Sequence, residues 1–180
     1  YIAQVSSNTT EYINLSLLPN TTYYYRVAGF NTFGTSAYSN IASATTGATQ
    51  LFISPSSALV GSGSTQTLTI NISNVSNLTG ASVYLAFDPA IISVATITSG
   101  GFPSGGWLLS NAINNSSGTL IYSVALMSGS ATGSGVLATL TITGVSTGTS
   151  PLAFLVSTTT VTKTQLIDNN GAEIPFSYID

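Results

Sequence analysis

Few residues in this chain can do chemistry. Its 180 residues include two Lys or Arg, five Asp or Glu, and no His or Cys. The charged set is Glu11, Arg26, Asp88, Lys163, Asp168, Glu173 and Asp180. Without histidine, the commonest general base and the usual nucleophile-activating triads are missing. Without cysteine there is no disulfide, no thiol chemistry and no thiolate to hold zinc. Glycoside hydrolysis needs two carboxylates flanking one bond, and no local pattern pairs any two of these acids. Asp88 precedes Pro89, a context in which the acid shapes a turn. Asp168-Asn169-Asn170-Gly171-Ala172-Glu173 has some of the composition of a calcium loop but not the acid spacing of an EF-hand, and a hairpin turn is the plainer assignment. Lys163 could join an Asn or Asp in an isopeptide bond with a nearby acid as catalyst, but a lone lysine at the end of a strand pattern gives that little support. We expect no catalytic residue, no cofactor and no metal ligand.

What the chain does carry is amide, hydroxyl and aromatic surface. Asn-x-Ser/Thr occurs at Asn8, Asn14, Asn20, Asn71, Asn74, Asn77, Asn114 and Asn115. A chain this rich in Asn, Ser and Thr makes the motif by chance, yet each is a candidate N-glycosylation site and together they favour an extracellular, cell-surface setting. Glycans near Asn71, Asn74 and Asn77 would supply the solubility that charge does not. Tyr24, Phe30 and Tyr84 are expected to point outward. Such aromatics can stack on sugars, or serve ordinary cross-strand packing.

Composition narrows the partners. Charged residues are 4 % of the chain, against about 25 % in ordinary soluble domains. Two basic residues give nothing for phosphates to bind, so nucleic acid is excluded as a partner. No apolar run reaches the roughly 18–20 residues of a membrane helix, so no membrane insertion is expected. Hydrophobic residues are 43 %, enough for a core.

The elements that position these groups read as strands throughout. Leu68, Ile70 and Ile72 alternate with Thr67, Thr69 and Asn71. Val83, Leu85 and Phe87 alternate with Ser82, Tyr84 and Ala86. That period of two predicts strands at Thr65–Ser73 and Ala81–Phe87, joined by a polar turn and stopped by Asp88-Pro89. Further strands are expected at Leu51–Ser54, Ile92–Thr98, Trp107–Ile113, Thr119–Leu126, Val136–Thr143, Leu152–Ser157 and Glu173–Ile179, punctuated by Gly and Ser. Their inward rows should include Leu120, Tyr122 and Val124, then Ala138, Leu140 and Ile142, then Leu152, Phe154 and Val156. Trp107 is expected to plug the core or one of its ends. No helical period runs over ten residues. An all-β chain with many short strands predicts a two-sheet sandwich or jelly roll.

Two stretches resemble known families. Leu17-x-Pro19-x-Thr21-x-Tyr23-x-Tyr25-x-Val27-x-Gly29-x-Asn31, followed by Phe33-Gly34-Thr35-Ser36-Ala37-Tyr38-Ser39-Asn40, resembles the last strands of a fibronectin type III domain. Tyr23 to Phe30 would be one strand and Ser36 to Ala44 its return, with Tyr23, Tyr25 and Val27 on one face. The resemblance implies a tyrosine corner in which the Tyr23 hydroxyl bonds to nearby backbone. The early strands and core tryptophan of that family are not here. Tyr1 is therefore expected not to be the protein's true start, and the exposed half sandwich invites strands from upstream or from a neighbouring chain. Thr45 to Gln50 reads as a linker, giving residues 1–47 as a partial fibronectin type III sandwich and 48–180 as a second domain.

That second domain resembles a cohesin. The matching pieces are Ile72-Ser73-Asn74-Val75, a turn with Gly80, Phe87-Asp88-Pro89 with Ile91-Ile92-Ser93-Val94, Gly118-Thr119-Leu120-Ile121-Tyr122, Gly133 to Leu140, and Asp168 to Ile174. The resemblance implies a nine-stranded jelly roll and, in cellulosomes, a calcium-loaded dockerin as partner. Where cellulosomal cohesins often carry Asn and Asp, this chain has Gly80 and Ser82. Two functions follow. One is a non-catalytic structural module of a glycosylated surface or filament protein, joined to copies of itself or to neighbouring sandwiches by strand complementation at Tyr23, Tyr25 and Val27. The other is a recognition module for a dockerin or a polysaccharide.

Overall fold

The computed structural model describes residues 1–14, 17–156 and 163–179. Among them all regular structure is strand: β1 (Thr22–Tyr25), β2 (Phe30–Asn31), β3 (Gly34–Thr35), β4 (Ala42–Thr45), β5 (Gln50–Ser54), β6 (Thr65–Ala86), β7 (Ile92–Ser99), β8 (Trp107–Asn114), β9 (Thr119–Ala125), β10 (Ala131–Gly144), β11 (Ala153–Phe154), β12 (Gln165–Asp168) and β13 (Ser177–Ile179). No helix among these residues is long and apolar enough to cross a membrane.

β6 organises the fold. It is one strand of 22 residues, not two strands and a turn. Asn74 and Asn77 take left-handed backbone angles, φ 53° and 57°, which Asn tolerates better than most residues because its short side chain can bond locally. The β6–β10 register slips twice opposite them, between Ala131 and Gly135. These irregularities bend the strand without ending its ladder. Its first half pairs with β5 and β10, and its second half with β9, β11 and β12. The nine-stranded network β5–β13 thereby folds into two layers. One runs β13-β5-β6-β10-β7, with β13 parallel to β5. The other runs β8-β9-β6 and ends in β11 and β12.

Between the layers lies one core, drawn from the alternating residues of both. Leu51, Ile70, Ile72, Leu140 and Ile142 face Val83, Leu85, Leu120, Tyr122, Val124 and Leu166. The expected inward rows hold: Leu120, Tyr122, Val124, Ala138, Leu140, Ile142 and Phe154 are buried, and Leu152 and Val156 pack partly buried against them. The all-β sandwich is as expected, but several bounds differ. The strand expected over Leu152–Ser157 is only Ala153–Phe154, and Ser157 lies outside the described residues. β12 has no counterpart among the expected strands. Most of the strand placed at Glu173–Ile179 is irregular, with only Ser177–Ile179 paired. Trp107 does not plug the core: it is 65 % exposed.

The first 48 residues are built differently. β1 pairs with β4, and β2 with β3. The expected return strand from Ser36 to Ala44 is broken. Only its end from Ala42 is in a strand, β4, and before that the Ser36 and Ser39 hydroxyls accept from the Gly29 and Val27 N–H groups. Among the described residues in this stretch none is buried. The Leu18 N–H donates to the Tyr23 hydroxyl at 2.9 Å, and the Asn14 amide donates to the Tyr25 hydroxyl at 3.1 Å. Tyr23 and Tyr25 are half-buried, while Val27 is 72 % exposed and does not share their cover.

Candidate partner-binding face

The groups that could have supported catalysis are occupied with structure. Asp88 Oδ1 accepts from the Ala90 N–H in the turn after β6. Asp168 Oδ1 accepts from the backbone N–H groups of Ala172 and Asn170, each at 2.8 Å. Those two bonds, that from Ala172 first, hold its carboxyl below the usual Asp range. These bonds close the turn between β12 and Glu173 as a hairpin. Lys163 Nζ meets both Glu173 carboxylate oxygens, at 3.0 and 2.8 Å. Among the described residues no three acids cluster as metal ligands would.

The outer face of the β8-β9-β6-β12 layer is a different surface. Because Val83, Leu85, Leu120, Tyr122, Val124 and Leu166 point inward, alternation sends their neighbours outward. The register then sets them in rows. Trp107, Ala125, Gly80 and Ile167 form one, and Ser110, Ser123, Ser82 and Gln165 the next. Ala112, Ile121 and Tyr84 follow, then Asn114, Thr119, Ala86 and Ala153. The Ser123 hydroxyl donates to the Ser82 hydroxyl at 3.0 Å, bridging β9 and β6. Thr164 Oγ1 accepts from the Tyr84 N–H and donates to the Tyr84 carbonyl, pinning the chain before β12 to β6. No residue in these rows is charged. Past Ile167 the first row continues to Glu173, whose ion pair with Lys163 marks the β12 edge; inside that edge the face can cover a flat neutral surface and exchange hydrogen bonds with it through hydroxyls.

One end of this face is apolar and open. Trp107 and Leu109 are each 65 % exposed, and Met127, just beyond β9, is 76 % exposed. The β8–β9 register slips between Leu108 and Ser110, so Leu109 has no partner of its own. The sequence carried a signal for this. Trp107-Leu108-Leu109 breaks the alternation of a half-buried strand just after Gly105-Gly106, and three apolar residues in a row at a strand start do not fit a single inward face.

The other candidate residues are scattered. Tyr84 lies outward on the face, as expected. Tyr24 and Phe30 are exposed, but they do not share the outer face of one strand: Tyr24 lies in the β1–β4 pair and Phe30 in the β2–β3 pair of the first 48 residues. Asn8 and Asn20 are exposed in turns with φ 65° and 48°. Asn14 is tied to Tyr25, and Asn77 is half-buried at a β6 bulge. Asn71 donates to the Thr69 carbonyl and hydroxyl. Asn74 donates to the Ala48 carbonyl. Asn114 Oδ1 accepts from the N–H groups of Ser116 and Ser117. Asn115 pairs with Val94 through both of its side-chain atoms.

Comparison with known proteins supplies a frame for this geometry. The family model described as "Cohesin domain" matches residues 49–174. No curated protein matches the chain. Among solved structures, type II cohesin A11 from Bacteroides cellulosolvens is similar, with 15 % identity and a TM-score of 0.60 over 73 % of this chain and 95 % of that one. The third cohesin ScaC of Acetivibrio cellulolyticus, solved in complex with the ScaB dockerin, has 20 % identity and a TM-score of 0.57 over 72 % and 93 %. A non-cellulosomal cohesin from the archaeon Archaeoglobus fulgidus has 14 % identity and a TM-score of 0.56 over 73 % and 86 %. At these identities the likeness speaks to the fold.

Proposed function

We infer, because this chain belongs to the cohesin family, a family of non-catalytic interaction modules, that it is a recognition module which receives a dockerin on the outer face of β8, β9, β6 and β12. The observation that carries this is the face itself: rows of mostly small side chains without a charge, with Tyr84 standing among them on β6 and Trp107, Leu109 and Met127 open at one end. A neutral face of this kind gains by excluding water from apolar contacts, with aromatic residues as the main anchors. Gly80 and Ser82, where related cohesins often carry Asn and Asp, leave the middle of the face without a charge, and the Lys163–Glu173 pair at its β12 edge is already mutually neutralised. Dockerin binding here should therefore depend weakly on salt. Calcium belongs to the dockerin in this scheme. Immobilised protein is tested against a panel of calcium-loaded type I and type II dockerins, with and without chelator. Calcium-dependent capture supports the proposal. Failure of every dockerin, together with capture of polysaccharide on a glycan array, would replace it with the carbohydrate alternative.

A second role concerns residues 1–47, proposed as a partial fibronectin type III sandwich that ends where Thr49 becomes buried. The bond from Leu18 to Tyr23 supports that kinship. A two-stranded ribbon with no buried residue is marginal alone, which favours completion of this part by a further strand from a neighbouring sandwich or another copy. Such end-to-end joining fits a surface or filament protein outside the cell. Light scattering across a concentration series tests it: growth of mass with concentration, lost when residues 1–47 are removed, is the expected result.

A further inference from the structure

We propose that the native fold is compatible with N-linked carbohydrate at Asn8, Asn20 and Asn114 and incompatible with it at Asn71, Asn74 and Asn115, so that natively folded molecules carry sugar only at the first three. This rests on the extracellular assignment above, since the sugar donor is met during export. In the transfer, the bond between the sugar's C1 and the phosphate oxygen of a polyprenyl-linked donor breaks and a bond from Asn Nδ2 to C1 forms. The phosphate leaves with the electron pair, and one Nδ2 proton is lost to base. The asparagine keeps a single N–H. The product is a secondary amide, which is trans like a peptide. The sugar therefore sits on the Oδ1 side, and the surviving N–H points away from it.

Asn115 cannot meet that requirement. Its Oδ1 accepts from the Val94 N–H at 2.8 Å, and its Nδ2 donates to the Val94 carbonyl at 3.0 Å. Two-point pairing with one residue's backbone uses the hydrogen beside Oδ1, the one a sugar would replace. Asn71 Nδ2 is committed to the Thr69 carbonyl at 3.1 Å and the Thr69 hydroxyl at 2.9 Å, on a strand paired along both edges. Asn74 is exposed, but its Nδ2 is pressed against the linker: it lies 3.4 Å from the Ala48 carbonyl, and so close to Gly47 that a Cβ built there would stand 2.6 Å from it. The cluster that looked richest in sequence is thus part of the β6 bulge and its linker contact.

Asn114 is the opposite case, one residue away. Its Oδ1 accepts from the Ser116 and Ser117 N–H groups, both at 3.0 Å, while its Nδ2 has no partner among the described residues. A sugar there leaves the turn intact. Asn8 and Asn20 are exposed, and their side chains have no partner among the described residues. The consequence for binding is directional. Asn114 and Trp107 stand at opposite ends of β8, about 23 Å apart at the usual strand rise. Carbohydrate at Asn114 would screen one end of the neutral face and leave the tryptophan end open.

The test is site occupancy on the whole chain secreted from insect cells, using the soluble, cooperatively melting fraction. Amidase removal of glycans in heavy-oxygen water converts each occupied Asn to a labelled Asp, read by peptide mass. Label at Asn8, Asn20 and Asn114 with none at Asn71, Asn74 and Asn115 is expected. Label at Asn71, Asn74 or Asn115 in that fraction, or absence of label at the three accepting sites, overturns the assignment. Two variants separate the overlapping pair without touching either asparagine. Ser116→Ala should remove one glycan's mass, and Ser117→Ala should remove none; the reverse result also overturns it. Dockerin capture by the same preparation is scored separately, so failure of one claim leaves the other readable.

Discussion

Replacing Trp107 by alanine distinguishes a core plug from a surface anchor. A tryptophan side chain can bury about 200–250 Å², and with 65 % of this residue exposed only about 70–90 Å² is withdrawn from water. At roughly 25 cal/mol/Å² that is worth about 2 kcal/mol as an upper bound. The alanine methyl keeps part of it, so Trp107→Ala should cost about 1 kcal/mol, or about 2–4 °C in Tm for a chain of this size. A tryptophan in the core would cost about 3–5 kcal/mol. Leu120→Ala is the internal control. Leu120 is 1 % exposed on the neighbouring strand, and its truncation should cost about 2–5 kcal/mol. Urea unfolding followed by circular dichroism gives both values. Because Trp107 is the only tryptophan, the native protein's fluorescence reports on it alone. Emission should resemble that of tryptophan in water and quench readily with acrylamide. A loss above 3 kcal/mol, or blue-shifted and protected emission, would refute the exposed placement and the anchor role with it. The same variant should weaken dockerin capture about tenfold or more if the side chain is an interface hot spot.

Ser82→Arg puts a charge in the middle of the neutral face beside Ser123; dockerin capture should fall at least tenfold while Tm stays within a few degrees, as measured by calorimetry. Asn115→Ala removes both side-chain bonds to Val94 and should cost about 1–3 kcal/mol in urea unfolding, because a backbone pair loses its partner. Asp168 has a folded pKa below its ordinary value of 3.8, so its contribution is fully present above that value and is lost as pH falls through the lower folded one. Thermal melts of Asp168→Asn and the native chain should therefore differ at neutral pH and converge in acid below 3.8.

The parts of this fold that sequence could reveal are those written in period two. Leu120, Tyr122 and Val124, or Leu140 and Ile142, show their direction by alternation alone, and the structure buries them as that alternation requires. The continuity of β6 was hidden because Asn74, Asn77 and Gly80 are turn formers. Left-handed Asn residues bend a paired strand with the same chemistry they use to end one. β12 was hidden because Gln165-Leu166-Ile167-Asp168 buries only Leu166 completely, leaving too short a pattern to count. The face was the hardest to see. Gly80, Ser82 and Ser123 are individually ordinary, and only the register between β6 and β9 brings them side by side. Val27 failed as a partner of Tyr23 and Tyr25 because β1 ends at Tyr25, and alternation lapses with the strand.

A single continuous strand shared by both layers ties their fates. Pulling the β8–β9 side apart from β6 disturbs Val83 and Leu85, and through the same backbone the ladder that carries Leu68, Ile70 and Ile72. Neither half of the sandwich has a seam along which it can melt alone. Amide protons along β6 should exchange with deuterium only through global opening, uniformly on both sides of Asn74, whereas those of the ribbon before Thr49 exchange by local fraying.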